Sequence, residues 1–123
     1  MTRGWPLTAA VPAARATAAA ASRYHRGHMS SSRRVRVGVL GAGAWALAAH
    51  LPGFARDARC ELVAIADPKK ELAEEAARQF GIPHVYDSHE ALIARTDLDM
   101  VDVCTPSNTH FALSWAALEA GKH

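Results

Sequence analysis

The chain has 123 residues, half of them hydrophobic and 21% charged, which is the balance of one folded globular domain and excludes a disordered or collagen-like chain. The net charge of +2 hides an asymmetry, because every arginine from Arg3 to Arg56 precedes the first acid, Asp57. These arginines are scattered among alanines without aromatic interleaving or a Lys/Arg run, which argues against a nucleic-acid partner. No stretch reaches the roughly 18 to 20 apolar residues needed to span a bilayer, so no membrane partner is expected. Cys60 and Cys104 form no CxxC pair and lie in apolar stretches, as reduced thiols of a cytoplasmic protein do.

Residues 1–32 are Ala-rich and acid-free, without turn-and-strand logic. They are expected to be a disordered, dispensable leader: a transit-type segment, or sequence upstream of a true start at Met29. From Arg34 the punctuation becomes regular. RVRVGVL is β-branched and ends at Gly41, as a buried strand does. A glycine-rich turn, a helical stretch from about Ala44 to His50 and a second helical piece after Pro52 follow, and ELVAIAD is the next buried strand.

Pro68 opens a helix in KKELAEEAARQF, with Leu72, Ala73, Ala76, Ala77 and Phe80 as its apolar stripe and Gly81 as its C-cap. A short strand is expected near His84 to Tyr86, then a brief helix capped by Ser88, then the strand MVDVC. A last helix from about Thr109 to Ala120 is expected to turn Phe111, Ser114, Trp115 and Leu118 inward. Four strands alternating with helices predict an α/β doubly wound parallel sheet of order 3-2-1-4. With no fifth strand, MVDVC is expected to be an unpaired edge, and the fragment alone a poor folder.

The turn GAGAWA is a G-x-G-x-x-A fingerprint directly after a strand and opening a helix. That context marks a dinucleotide phosphate loop. Gly41 permits the tight turn, Gly43 leaves room for a pyrophosphate, and Ala46 lets the helix pack on the strand; Ala44 and Trp45 complete the loop. The helix N-terminus offers free N–H groups to phosphate. Asp67, about 20 residues on, ends the second strand where a carboxylate accepts from ribose hydroxyls. It is equally a helix N-cap before Pro68. The carboxylate favours NAD, while Lys69 and Lys70 leave NADP open. His50, His84 and His89 lack metal-ligand spacing and are expected at the surface, and no metal is expected.

From Arg34 to the last residue the chain resembles the Gfo/Idh/MocA family of NAD(P)-dependent oxidoreductases. The resemblance rests on VGVLGAGAWA, VAIADP, FGIPHVYDS and DMVDVCTPSNTHFALSWAALEAGKH, and is most specific in TPSNTH and ALEAGKH. It implies that Thr105 and Pro106 end the fourth strand beside the dinucleotide, with Asn108 and His110 near it. In the family the following strand carries a Glu-Lys-Pro segment whose lysine assists proton transfer, and a second domain selects a small-molecule substrate, commonly a sugar, polyol or related hydroxy compound. Neither is present, so no catalytic residue is assigned; residues 33–123 are expected to be a Rossmann domain truncated before the fifth strand, from a parent that is a homo-oligomer. Two other classes stay open: a non-catalytic dinucleotide-binding module or gene remnant, and an S-adenosylmethionine methyltransferase, which also pairs a glycine loop with an acid ending the second strand.

Overall fold

The computed structural model describes residues 33–123, so the expected leader and the start at Met29 lie outside the described residues. β1 (Val35–Leu40) and β2 (Cys60–Ala66) are the two β-branched runs, and they pair in parallel with a register shift between Val37 and Gly38. β3 (His84–Tyr86) adds to the far side of β2, and β4 (Met100–Val103) to the free side of β1. The sheet order is β3-β2-β1-β4, the expected 3-2-1-4.

Alternation along β1 sends Val37 and Val39 to one face and Leu40 to the other, so each face needs its own helical cover. The first face is covered by α1 (Leu51–Arg56) and α2 (Lys70–Phe80), which contribute Leu51, Ala73 and Ala76. The second is covered by α3 (His89–Ile93) and α4 (His110–Glu119), which contribute Leu92, Leu113 and Ala117. Gly38 lies where α3 comes closest. A Cβ there would sit 2.7 Å from both Leu92 and Leu98 side-chain carbons.

The helical segment after the glycine turn is continuous where two pieces were expected. A π-helical turn, Ala46–His50, runs directly into α1, and the Leu51 N–H donates to the Ala46 carbonyl five residues back. Pro52 follows at once. A proline lacks the N–H for an ordinary helical bond and its ring crowds the carbonyl four residues earlier, and a widened turn relieves both.

Two faces differ from expectation. In α4 Phe111, Trp115 and Leu118 are 81%, 56% and 63% exposed, while Leu113 and Ala117 pack inward. Both stripes of this helix are apolar, so periodicity alone does not select the buried one. In α2 the small residues Ala73, Ala76 and Ala77 are buried but Leu72 is exposed. The edge of β4 also departs from the expected unpaired strand. The His123 N–H donates to Asp99 O at 3.0 Å and the Val101 N–H donates to His123 O at 2.8 Å, the two bonds of a parallel pair. Lys122, buried beside it, donates from Nζ to the Arg95 and Leu98 carbonyls at 2.6 and 3.1 Å.

The N-terminal ends of β1 and β4 are clamped by charge. Arg36 bonds the Asp97 carbonyl and carboxylate at 2.8 and 2.9 Å, its backbone N–H meets the Asp99 carboxylate at 2.8 Å, and Arg33 pairs with Asp99. Arg95 grips Asp97 from the other side at 2.7 and 2.8 Å. Its hydrogen bonds, reinforced by Arg36, hold the Asp97 carboxyl well below the usual carboxylate range.

Candidate functional site

At the opposite, C-terminal end of the strands the chain leaves β1 toward β2 on one side and reaches β4 on the other. That reversal opens a crevice, and ligands of open α/β sheets bind there. A groove of about 400 Å³ occupies it, bounded by Gly41, Gly43, Asp67, Leu72, Thr105 and Thr109.

The floor is the glycine turn. Gly41 has φ +98°, and a Cβ on it would sit 2.4 Å from the Cys104 carbonyl oxygen, so the close passage of β1's end beside β4's end requires glycine. Its N–H donates to Ala66 O at 2.8 Å, which ties the turn to β2 as well. A Cβ on Gly43 would meet no protein atom within 4 Å. The fold itself therefore makes no demand for glycine at 43, and the space beside it faces the groove. Ala46 is fully buried, as its expected packing role requires.

Asp67 leaves the end of β2 half-buried, with one carboxylate oxygen accepting from the Ala42 N–H at 2.9 Å and the other from the Lys69 N–H at 2.8 Å. This differs from the expected helix N-cap. α2 begins at Lys70 with Lys69 as its N-cap residue, so Asp67 closes a turn before the helix and braces the glycine loop from across the groove. A carboxylate has about four lone-pair sites, and two remain for a ligand.

The third wall follows β4. The Thr109 hydroxyl lies 2.7 Å from both the Thr105 hydroxyl and the Pro106 carbonyl, and His110 donates from Nε2 to Thr105 O at 2.7 Å. The structure thus brings Gly41, Gly43, Asp67, Thr105 and Pro106 to the groove. Ala44, Trp45, Ala46, Asn108 and His110 stand outside its lining. Asn108 is exposed on a single 3₁₀ turn, Ser107–Thr109, and does not cap α4. Trp45 is exposed, with its ring edge toward His50 at 6.4 Å between centroids.

Lys69, which the sequence offered as a partner for a 2'-phosphate, lines the groove, and sequence reasoning missed Leu72, His89, Cys104 and Thr109 as lining residues. Leu72 is the large apolar side chain its helix leaves exposed at the groove rim. His89, expected at the surface, lines the groove instead, and its Nε2 is buried without a partner among the described residues. The signal was available in part: His89 follows the Ser88 cap, whose hydroxyl accepts from the Ala91 N–H at 3.2 Å, directly after the strand next to β2. Burial, and then the Asp102 carboxylate, push the Cys104 thiol up. A glycine turn open beside Gly43, helix N–H groups and a braced carboxylate suit a dinucleotide: phosphate at the turn, ribose at Asp67.

Comparison with known proteins agrees with this geometry. A family model described as an oxidoreductase family with NAD-binding Rossmann fold matches residues 35–123. The chain is 38% identical over 97 residues to a dTDP-3,4-didehydro-2,6-dideoxy-alpha-D-glucose 3-reductase of Streptomyces violaceoruber, covering 79% of this chain and 28% of that protein. It is 33% identical over 93 residues to a D-glucoside 3-dehydrogenase of Escherichia coli strain K12, covering 76% and 26%. Among solved structures, a 3-ketoreductase from Actinomadura kijaniata in complex with TDP-benzene and NADP shares 34% identity at a TM-score of 0.70, over 74% of this chain and 28% of that one. A scyllo-inositol dehydrogenase from Lactobacillus casei with bound NAD(H) and scyllo-inositol shares the fold at 24% identity and a TM-score of 0.69, over 74% and 27%.

Fold and groove together define an NAD-binding Rossmann domain of the oxidoreductase class. The chain belongs to the Gfo/Idh/MocA oxidoreductase family, and it spans about a quarter of the length of the relatives it matches. The methyltransferase alternative is not supported, because the oxidoreductase family's own model runs through the glycine loop, Asp67 and the TPSNTH segment.

Proposed function

We propose that this chain is the cofactor-holding part of an enzyme that moves a hydride between nicotinamide and a hydroxyl-bearing carbon of a sugar, polyol or related hydroxy compound. The nicotinamide supplies the hydride chemistry, and this chain binds and orients the dinucleotide. The observation that carries the reading is the pairing of an open glycine turn with Asp67 across one groove. The turn of Gly41, Gly43, Ala44 and Trp45 holds the pyrophosphate while Ala46 packs its helix onto the strand behind it, Asp67 takes the adenosine ribose, and Thr105, Pro106, Asn108 and His110 lie near the dinucleotide. The sugar compounds named for the Streptomyces violaceoruber and Escherichia coli relatives support the substrate class. The free cysteines Cys60 and Cys104 suit a reducing compartment and support action in the cytoplasm. The parent enzyme is a homo-oligomer in this reading.

NAD is preferred over NADP, since a carboxylate meets a 2'-phosphate with like charge. Calorimetric titration of the chain with NADH and NADPH tests this. Wild type is expected to bind NADH more tightly, and Asp67→Ser to weaken NADH by about 1.5 to 3 kcal/mol while sparing NADPH. Tighter binding of NADPH by wild type, or equal loss of both cofactors in the variant, would show that Asp67 acts only by bracing the loop and that Lys69 and Lys70 set the choice.

A further inference from the structure

Three side chains that the dinucleotide reading leaves without a role meet on the face of β4 turned toward the π-helical turn. His50 closes that turn, Asp102 lies within β4, and Cys104 follows the strand's last residue. The His50 ring nitrogen Nδ1 lies 2.9 Å from an Asp102 carboxylate oxygen. One ring nitrogen, one carboxylate oxygen and the Cys104 Sγ all lie within 4.8 Å of one another. The His50 and Asp102 side chains are 31% and 16% exposed, half-sheltered but open on one side. Spacing along the sequence could not reveal this group, because helix packing against the sheet brings residue 50 to residues 102 and 104.

We propose that His50, Asp102 and Cys104 form a three-ligand site for a borderline-soft divalent cation of the Zn2+ kind. Metal–sulfur bonds of about 2.3 Å and metal–nitrogen or –oxygen bonds of about 2.0 to 2.2 Å put tetrahedral donors about 3.3 to 3.7 Å apart. Pairs lying as far apart as 4.8 Å reach that spacing by closing about 1 Å, while the His50–Asp102 pair opens by about 0.4 Å as the ion replaces its hydrogen bond, both within the range of rotamer adjustment. The donor set selects the ion. Calcium and magnesium take oxygen ligands throughout, whereas imidazole with a thiolate suits zinc and cobalt. The carboxylate and the thiolate together balance the ion's two positive charges, and the thiol proton leaves to solvent on coordination. Three protein ligands leave a fourth position for water on the open side. Because the Cys104 carbonyl abuts Gly41, an ion held here ties the π-helical turn and β4 together beneath the phosphate loop.

The test is a titration of the reduced chain with Co2+, read by thiolate-to-cobalt charge-transfer absorption in the near ultraviolet and by the visible bands of tetrahedral cobalt. One equivalent is expected to saturate both signals, and Zn2+ to bleach them. Cys104→Ser should abolish the charge-transfer band with an unchanged far-ultraviolet circular dichroism spectrum, Cys60→Ser should keep it, and His50→Gln should weaken Co2+ binding at least tenfold. A second measurement needs no variant: Zn2+ should protect Cys104 of the wild-type chain, and leave Cys60 unprotected, in alkylation by iodoacetamide mapped by mass spectrometry. No charge-transfer band at saturating Co2+, a band that survives Cys104→Ser, or equal alkylation of Cys104 with and without Zn2+ would overturn the proposal and leave His50 and Asp102 as a hydrogen-bonded pair.

Discussion

Gly41 and Gly43 stand two residues apart in one fingerprint and answer to different demands. Gly41 is held by the fold, through its positive φ and the Cys104 carbonyl against which a Cβ would press. Gly43 has neither constraint, which supports the proposal that the ligand makes the demand there. Gly41→Ala is therefore expected to cost about 2 kcal/mol or more in urea-unfolding free energy. Gly43→Ala should change stability by no more than about 1 kcal/mol in either direction while weakening NADH about tenfold or more. A Gly43→Ala variant that unfolds as readily as Gly41→Ala, or that binds NADH unchanged, contradicts this division. The fingerprint was legible because backbone stereochemistry and ligand access both write glycine into a fixed spacing. Asp67 was legible only in type: a carboxylate ending a strand announces an acceptor, but whether it also caps a helix, the alternative beside ribose binding, or closes a turn onto the opposite loop, as found, depends on a neighbouring strand.

Among the elements, α4 shows where periodicity stops informing. Its outer stripe of Phe111, Trp115 and Leu118 carries larger side chains than its buried stripe of Leu113 and Ala117, and only contact with the sheet selects between them. Leu113→Ala is expected to cost about 2 to 4 kcal/mol, whereas Phe111→Ser should stay within about 0.5 kcal/mol, both read from urea unfolding. The reverse ranking would restore the face expected from side-chain size. The charged clamp on β1 and β4 was likewise hidden, since Arg36, Arg95, Asp97 and Asp99 look like ordinary surface residues in sequence. A carboxyl whose folded pKa is depressed adds stability that is present above its unfolded value and lost as pH falls toward the folded one. Asp97 is that case. Because the pair is partly solvent-screened, Asp97→Asn should cost only about 1 kcal/mol at neutral pH. That difference from wild type should shrink as the solution is acidified below about pH 4. A difference that stays constant from neutral pH to about pH 2 would mean that the Asp97 charge does not matter.

For the molecule as a whole, strand order and layer architecture were legible because four strands alternate with helices, and right-handed crossovers leave few ways to wind them. What escaped was contact across the sheet: the His123 pairing on β4, the inward Lys122, and the meeting of His50 with Asp102 and Cys104. Each joins residues far apart in sequence, which local pattern does not encode. The crevice at the C-terminal strand ends is the proposed seat of the dinucleotide. A second hollow, at the other end of β2 and bordered by Arg34, Phe54 and Pro83, serves as an internal control. Amide hydrogen exchange of the chain with and without saturating NADH tests the claim most directly. Slowed exchange is expected across residues 41–47, at Asp67 and across residues 105–110, with Phe54 and Gly81 unchanged. Protection around Phe54 and Gly81 instead, or no protection at the glycine turn under saturating NADH, would contradict it.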